Sequence, residues 1–209
     1  MKRWMALCLL GCACGSDGNG GNGGPPDSGA PHGSGTFTGT VNGHSLTVKD
    51  AVFGDPGSAL VALIAADQSN LCALLGGTTF PGGTVTVLGV ALVNARTPPS
   101  AGPVVAGTYD WFDLQGNTAP GASLWWDGAF ALPTDCNGNG ESWLPNGGTI
   151  TVTQMGTTTG TTLKATYSTL TFDGGVGGLS GSVEATYCPA ATIAPSCGRL
   201  LLARPPASE

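Results

Sequence analysis

Two groups of side chains in this 209-residue chain have the types and spacing to do chemistry. The first is Asp135-Cys136-Asn137-Gly138-Asn139-Gly140. Oxygen-bearing side chains at positions 1, 3 and 5 with glycine at 6 make the first half of a calcium loop, with Asp135, Asn137 and Asn139 as ligands. The twelfth position of such a loop supplies a bidentate carboxylate; here it is Asn146, with one neutral oxygen, and Glu141 stands at the seventh. One charged ligand would hold Ca2+ weakly. The plainer reading is an Asn-Gly turn beside a disulfide.

The second group is aromatic: Tyr109, Trp111, Phe112, Trp125, Trp126, Phe130 and Trp143. Successive residues of a strand point to opposite faces. One ring of the Trp125–Trp126 pair, and one of Trp111–Phe112, therefore leaves the face shared by the other. Exposed rings beside Asp110, Asp113 and Asp127 could stack on a sugar and hydrogen-bond its hydroxyls. Rings covered on both sides would be core, as Trp usually is. Trp111, Trp125, Trp126 and Trp143 are the candidate ligand-binding set.

Catalytic sets are incomplete. Gly43-His44-Ser45-Leu46 echoes the nucleophile turn of lipases, but Thr47 replaces the final glycine and the context is strand–turn–strand. His44 is the one histidine of the folded part, and a Ser-His pair would need a serine brought to it from elsewhere. Asp127, Asp135, Glu141 and Glu184 could pair as acid and base in a hydrolase, a relation of distances that sequence does not carry. A binding or structural domain without enzymatic activity is the leading expectation. A carbohydrate- or calcium-dependent module comes next, and a carboxylate-based hydrolase third.

The elements that must position these residues are strands. Short β-prone runs cover Thr36–Val41, Ser45–Phe53, Ala59–Ala66, Thr84–Asn94, Thr108–Leu114, Ser123–Leu132, Thr149–Met155, Thr161–Phe172 and Leu179–Tyr187. Gly, Pro and Asn turns separate them, and Asn42-Gly43 favours a tight hairpin. Ala59–Ala66 is apolar throughout, as a strand buried on both faces would be, although a short helix fits the same pattern. No window shows helix spacing with a capped start. The expected fold is all-β: an antiparallel sandwich or meander barrel of about nine or ten strands. With only 10% charged residues, a net charge of −6 and no basic cluster, the chain is unsuited to nucleic acid.

The first fourteen residues carry an address. Lys2 and Arg3 precede an apolar run, Trp4 to Leu10, that is too short to span a bilayer. Leu9-Leu10-Gly11-Cys12 resembles a lipobox, with Leu at −3 and Gly at −1; neither Cys8 nor Cys14 has both. The expectation is a signal over residues 1–11 and acylation of Cys12, giving a stable membrane anchor. Ala13, not Asp, follows that cysteine, which by the sorting rule of enteric lipoproteins directs the protein to the outer membrane. Residues 12–35 contain no aliphatic or aromatic side chain beyond Ala and Pro. They read as a flexible tether spanning roughly 25 Å, with His32 a passive member. Residues 36–209 form one β domain.

Gly39-Thr40-Val41-Asn42-Gly43-His44-Ser45-Leu46-Thr47-Val48-Lys49-Asp50-Ala51-Val52-Phe53 resembles the opening strands of lipid-anchored β-domain proteins numerous in myxobacteria. Residues 147–152 and the closing run from Leu179 to Cys188 do so as well. The resemblance implies an all-β fold and an envelope location; separately, a membrane reached through the Cys12 lipid and a glycan or envelope protein are the partners to look for. It implies no activity.

Four cysteines remain for the domain: Cys72, Cys136, Cys188 and Cys197. Export makes disulfides the first expectation, and the absence of a Cys-x-x-Cys pair argues against zinc. Short spacing favours Cys188–Cys197, leaving Cys72–Cys136; the parity of strand ends in a plain meander would favour Cys72–Cys188.

Overall fold

The computed structural model describes residues 32–76, 85–94, 102–111, 123–133, 140–158 and 160–191. Among the described residues ten strands run in chain order: β1 (Ser34–Val41), β2 (Asp50–Phe53), β3 (Leu60–Ala66), β4 (Val87–Asn94), β5 (Gly107–Trp111), β6 (Ser123–Pro133), β7 (Gly140–Trp143), β8 (Pro145–Gln154), β9 (Thr162–Phe172) and β10 (Gly177–Tyr187). Among the described residues one α-helix, α1 (Leu71–Gly76), lies between β3 and β4, and a 3-10 turn (Asp173–Gly175) joins β9 to β10.

The strands form a single sheet that curls into a barrel. Its order is β10–β2–β3–β4–β6–β5–β8–β9, and β9 pairs with β10 again, so eight strands complete the circuit. β1 and β7 extend edges already in use. β1 lies along β10 from Gly177 to Glu184, ahead of the β2 contact at Thr186 and Tyr187. β7 lies on β6 beyond the β5 contact at Leu124 and Trp125. The all-β expectation holds, and a barrel is the form it takes.

Two features depart from a plain antiparallel meander. β4 pairs with β6 rather than β5, and the β2–β10 and β5–β6 pairs are parallel. Each parallel seam is only two residue pairs long, so side-chain packing must hold the barrel closed there. α1 and β7 were not expected. α1 has six residues, too few for a 3.6-residue period to show, and is marginal without tertiary support.

The alternating strands β8, β9 and β10 send Ile150, Val152, Leu163, Ala165, Tyr167, Leu170, Val183 and Ala185 into the barrel. β3 and β4 are buried on both faces, as the unbroken apolar run from Leu60 to Ala66 requires. Val61, Leu63, Ala65, Leu88, Val90 and Leu92 fill the interior. Val52, Ile64, Ala66 and Val87 face outward into a second, smaller core, closed by Leu71 and Leu75 of α1 with Cys188 and Ala191.

The second core is tied down in two ways. Cys72 on α1 is bonded to Cys188, just past β10, across 116 residues of sequence. This corrects the expected Cys188–Cys197 and Cys72–Cys136 pairs. Spacing along the chain favoured the nearer partner, but α1 packs outside β2 and β3, next to where β10 ends. Cys136 and Cys197 lie outside the described residues.

The other tie is Asp50, buried at the start of β2. Its Oδ1 accepts the backbone N–H groups of Gly33 and Ala51, and its Oδ2 accepts that of Leu71 at the start of α1, all at 2.8 Å. One carboxylate thus caps α1 from a distant strand and fixes where the chain enters the barrel. His32, expected to be a passive tether residue, lies 3.7 Å from Asp50 Oδ2 through Nδ1.

Asn42 and Gly43 both have positive φ, and Val41 and His44 exchange two 2.9 Å backbone hydrogen bonds, so the expected tight turn forms. The flanking segments do not continue as a hairpin. β1 pairs with β10, and the strand expected over Ser45–Phe53 shortens to Asp50–Phe53.

Candidate functional site

The sheet walls differ in what they offer a ligand. β8, β9, β10 and β1, with β5 beyond β8, turn hydroxyls outward. Registers place Thr36 opposite Ser182, Ser182 opposite Thr166, Thr166 opposite Thr151, and Thr151 opposite Thr108. A row of five hydroxyl residues therefore crosses five strands. Thr36, Ser182, Thr166 and Thr108 are exposed and Thr151 is half-buried. The oxygens of Thr108 and Thr151 are 3.5 Å apart.

The next row holds Ser34, Glu184 and Lys164, and the Lys164 ammonium lies 3.1 Å from the Glu184 carboxylate. Thr153 Oγ1 donates to the Lys164 carbonyl at 3.3 Å. These two rows line a shallow depression of about 390 Å3, bounded by Ser34, Thr36, Thr153, Lys164, Ser182 and Glu184. Small residues, Gly35 and Ser182, make its floor low, and the Lys164–Glu184 pair stands at one side.

A second place gathers aromatic and polar groups. The His44 ring centroid is 6.0 Å from that of Trp143, Asn42 N–H donates to Val176, and Asp173 N–H donates to Leu144. His44 is exposed, and Trp143 is half-buried with one side packed on the barrel core. Trp111 packs partly into the same core. Both tryptophans are half-buried, with part of each ring packed on the core. The registers put Trp111 opposite Trp125 and Ala91 opposite Trp126. Trp111 and Trp143 thus stand on different strands, each with part of its ring against the core, and the side chains of Trp125 and Trp126 lie outside the described set.

The calcium candidates Asp135, Asn137 and Asn139, and the anchor Cys12, lie outside the described residues. Among the described residues, no three His, Cys, Asp or Glu side chains converge on a metal site. Glu184, one of the four carboxylates considered as acid–base partners, is engaged with Lys164. No described helix is long and apolar enough to cross a membrane.

Two buried tyrosines differ in their polar ends. Tyr109 Oη donates to the Val105 carbonyl at 2.6 Å and accepts the Val105 N–H at 3.0 Å, pinning the entry to β5. Tyr167 is equally buried, but among the described residues its hydroxyl has no hydrogen-bond partner, and burial pushes its pKa well above the ordinary phenol value. Its ring meets Phe37 at 5.2 Å across Gly181, which stands opposite both. A Cβ at Gly181 would collide with the Thr36 carbonyl oxygen and with Phe37, so the close approach of β1 and β10 there requires glycine.

Sequence reading missed the hydroxyl rows. The signal was present as alternating Thr and Ser in each strand, but the rows exist only once register is set. Comparison with protein-family models, curated proteins and solved structures found no match.

Proposed function

We propose that this chain is an envelope lipoprotein, anchored by acyl chains on Cys12, whose barrel acts by binding a partner at the membrane rather than by catalysis. The observation that carries the reading is the Cys72–Cys188 bond. Such bonds persist in oxidising compartments, where the signal over residues 1–11 would deliver the chain. The described barrel interior is packed with side chains, which turns binding to the outer surface.

Intact mass and membrane fractionation test it. The mature protein should lack residues 1–11, carry lipid on Cys12, and gain the hydrogens of at least one disulfide on reduction. Cys12→Ala should move it from the membrane to the soluble fraction. A wild-type product that is soluble and unlipidated overturns the proposal.

A further inference from the structure

We infer that the hydroxyl-lined depression across β8, β9, β10 and β1 is a binding site for an uncharged, polyhydroxylated chain, a neutral glycan. The inference rests on the binding role proposed above and names its ligand class.

Three observations carry it. The depression encloses about 390 Å3, within the ~300–1,000 Å3 range of small-molecule sites. From β8 to β1 it crosses three strand spacings, roughly 14 Å, room for a short oligosaccharide. Its uncharged polar side chains are also of one kind. Thr36, Thr153, Thr166, Ser34 and Ser182 each both donate and accept, as sugar hydroxyls do, so donors and acceptors can be matched in either sense.

Charge then narrows the ligand. The charged side chains lining the depression are Lys164 and Glu184, already paired with each other. An anionic polymer would meet the Glu184 carboxylate beside the ammonium and approach a chain of net charge −6. A neutral ligand is repelled by neither, and escapes the cost of desolvating a charge. The wall is also twisted, as sheets are, so it suits a flexible chain better than a flat crystalline face. Ser34, at one lip, begins β1 at the end of the segment expected to lead to the anchor, which would place the site on the membrane-proximal part of the domain.

The test is amide chemical-shift mapping of the full mature protein in micelles of a sugar-free detergent. The probes are cellotetraose, maltotetraose and N-acetylchitotetraose, with an oligogalacturonate as anionic control. At least one neutral probe should shift the amides of Thr36, Lys164, Thr166 and Ser182 at concentrations up to about 10 mM, the range of weak single-site affinity. Binding should change little with salt, because no net charge is neutralised. Thr166→Trp, which fills the depression, should weaken it at least about tenfold. The double variant Thr166→Ala, Ser182→Ala, which removes two hydroxyls without adding bulk, should weaken it as well. Trp143→Ala should leave it unchanged.

Failure to bind any neutral probe overturns the site while leaving the Cys12 anchor to its own fractionation test. Shifts centred on His44 and Trp143 also overturn it, and would leave the binding role standing at a different place. Salt-sensitive binding of the anionic control alone refutes the charge argument.

Discussion

Tyr109 and Tyr167 are both fully buried in the same core, so their phenylalanine variants isolate the worth of one hydroxyl in two settings. Tyr109→Phe removes a hydroxyl that both donates and accepts, leaving the Val105 N–H and C=O to find water. A buried polar group left unsatisfied costs about 1–3 kcal/mol; because Val105 is 43% exposed, water can partly replace the lost bonds, and we place the loss at about 1–2 kcal/mol. Tyr167→Phe removes a hydroxyl with no partner among the described residues. The native state then sheds a desolvated group, so the variant should be neutral or up to about 1 kcal/mol more stable. Urea unfolding is the assay, with unchanged slope as the check that only stability moved. The same comparison has a pH arm. Burial raises the Tyr167 pKa in the folded state, so above the ordinary phenol pKa of about 10 the unfolded chain ionises while the native one stays protonated. The unfolded state then binds fewer protons, and stability falls by about 1.4 kcal/mol per pH unit from this group as pH rises past 10. Tyr167→Phe should remove that component. Equal losses of stability in the two variants at neutral pH would refute the hydrogen-bond assignment. An unchanged alkaline slope in Tyr167→Phe would refute the burial argument.

Asp50→Asn keeps the shape but turns one acceptor oxygen into a donor facing backbone N–H groups. It should cost about 2–3 kcal/mol in urea unfolding and raise hydrogen exchange first in α1. Reducing Cys72–Cys188 frees a loop of over a hundred residues, so loop entropy sets the loss at about 4–5 kcal/mol; calorimetry of oxidised and reduced protein reads it directly. At Gly54 an added Cβ would collide with the carbonyl oxygen of Ala191, so Gly54→Ala should displace the segment after Cys188 and lower the melting temperature by several degrees, about 2–4 °C for each kcal/mol lost.

How much was legible in the chain depends on the range of the interaction. β9 and β10 appear within two residues of where alternation put them, because a period-2 pattern is local and the buried face enforces it. The Asn42-Gly43 turn was readable for the same reason: positive φ at both positions is a property of those two residues. The apolar run Ala59–Ala66 fitted a strand covered on both sides or a short helix; the structure makes it β3, and what covers β3 was not legible. The cover is α1 with Cys188 and Ala191, elements that meet only after the barrel has closed. The candidate tryptophans show the same boundary. Their alternation was readable, but whether Trp111 and Trp143 meet a ligand or the core depends on the packing around them.

The sequence by itself determined most of the strands, the tight turn, and the acidic, sparsely charged character of the chain. Tertiary structure alone decided the partner of Cys72, the convergence of three backbone donors on Asp50, and the alignment of Thr36, Ser182, Thr166, Thr151 and Thr108 into one row. Strand periodicity is written within a few residues. Register and strand order are set by which faces must be buried together, and that is a property of the whole barrel.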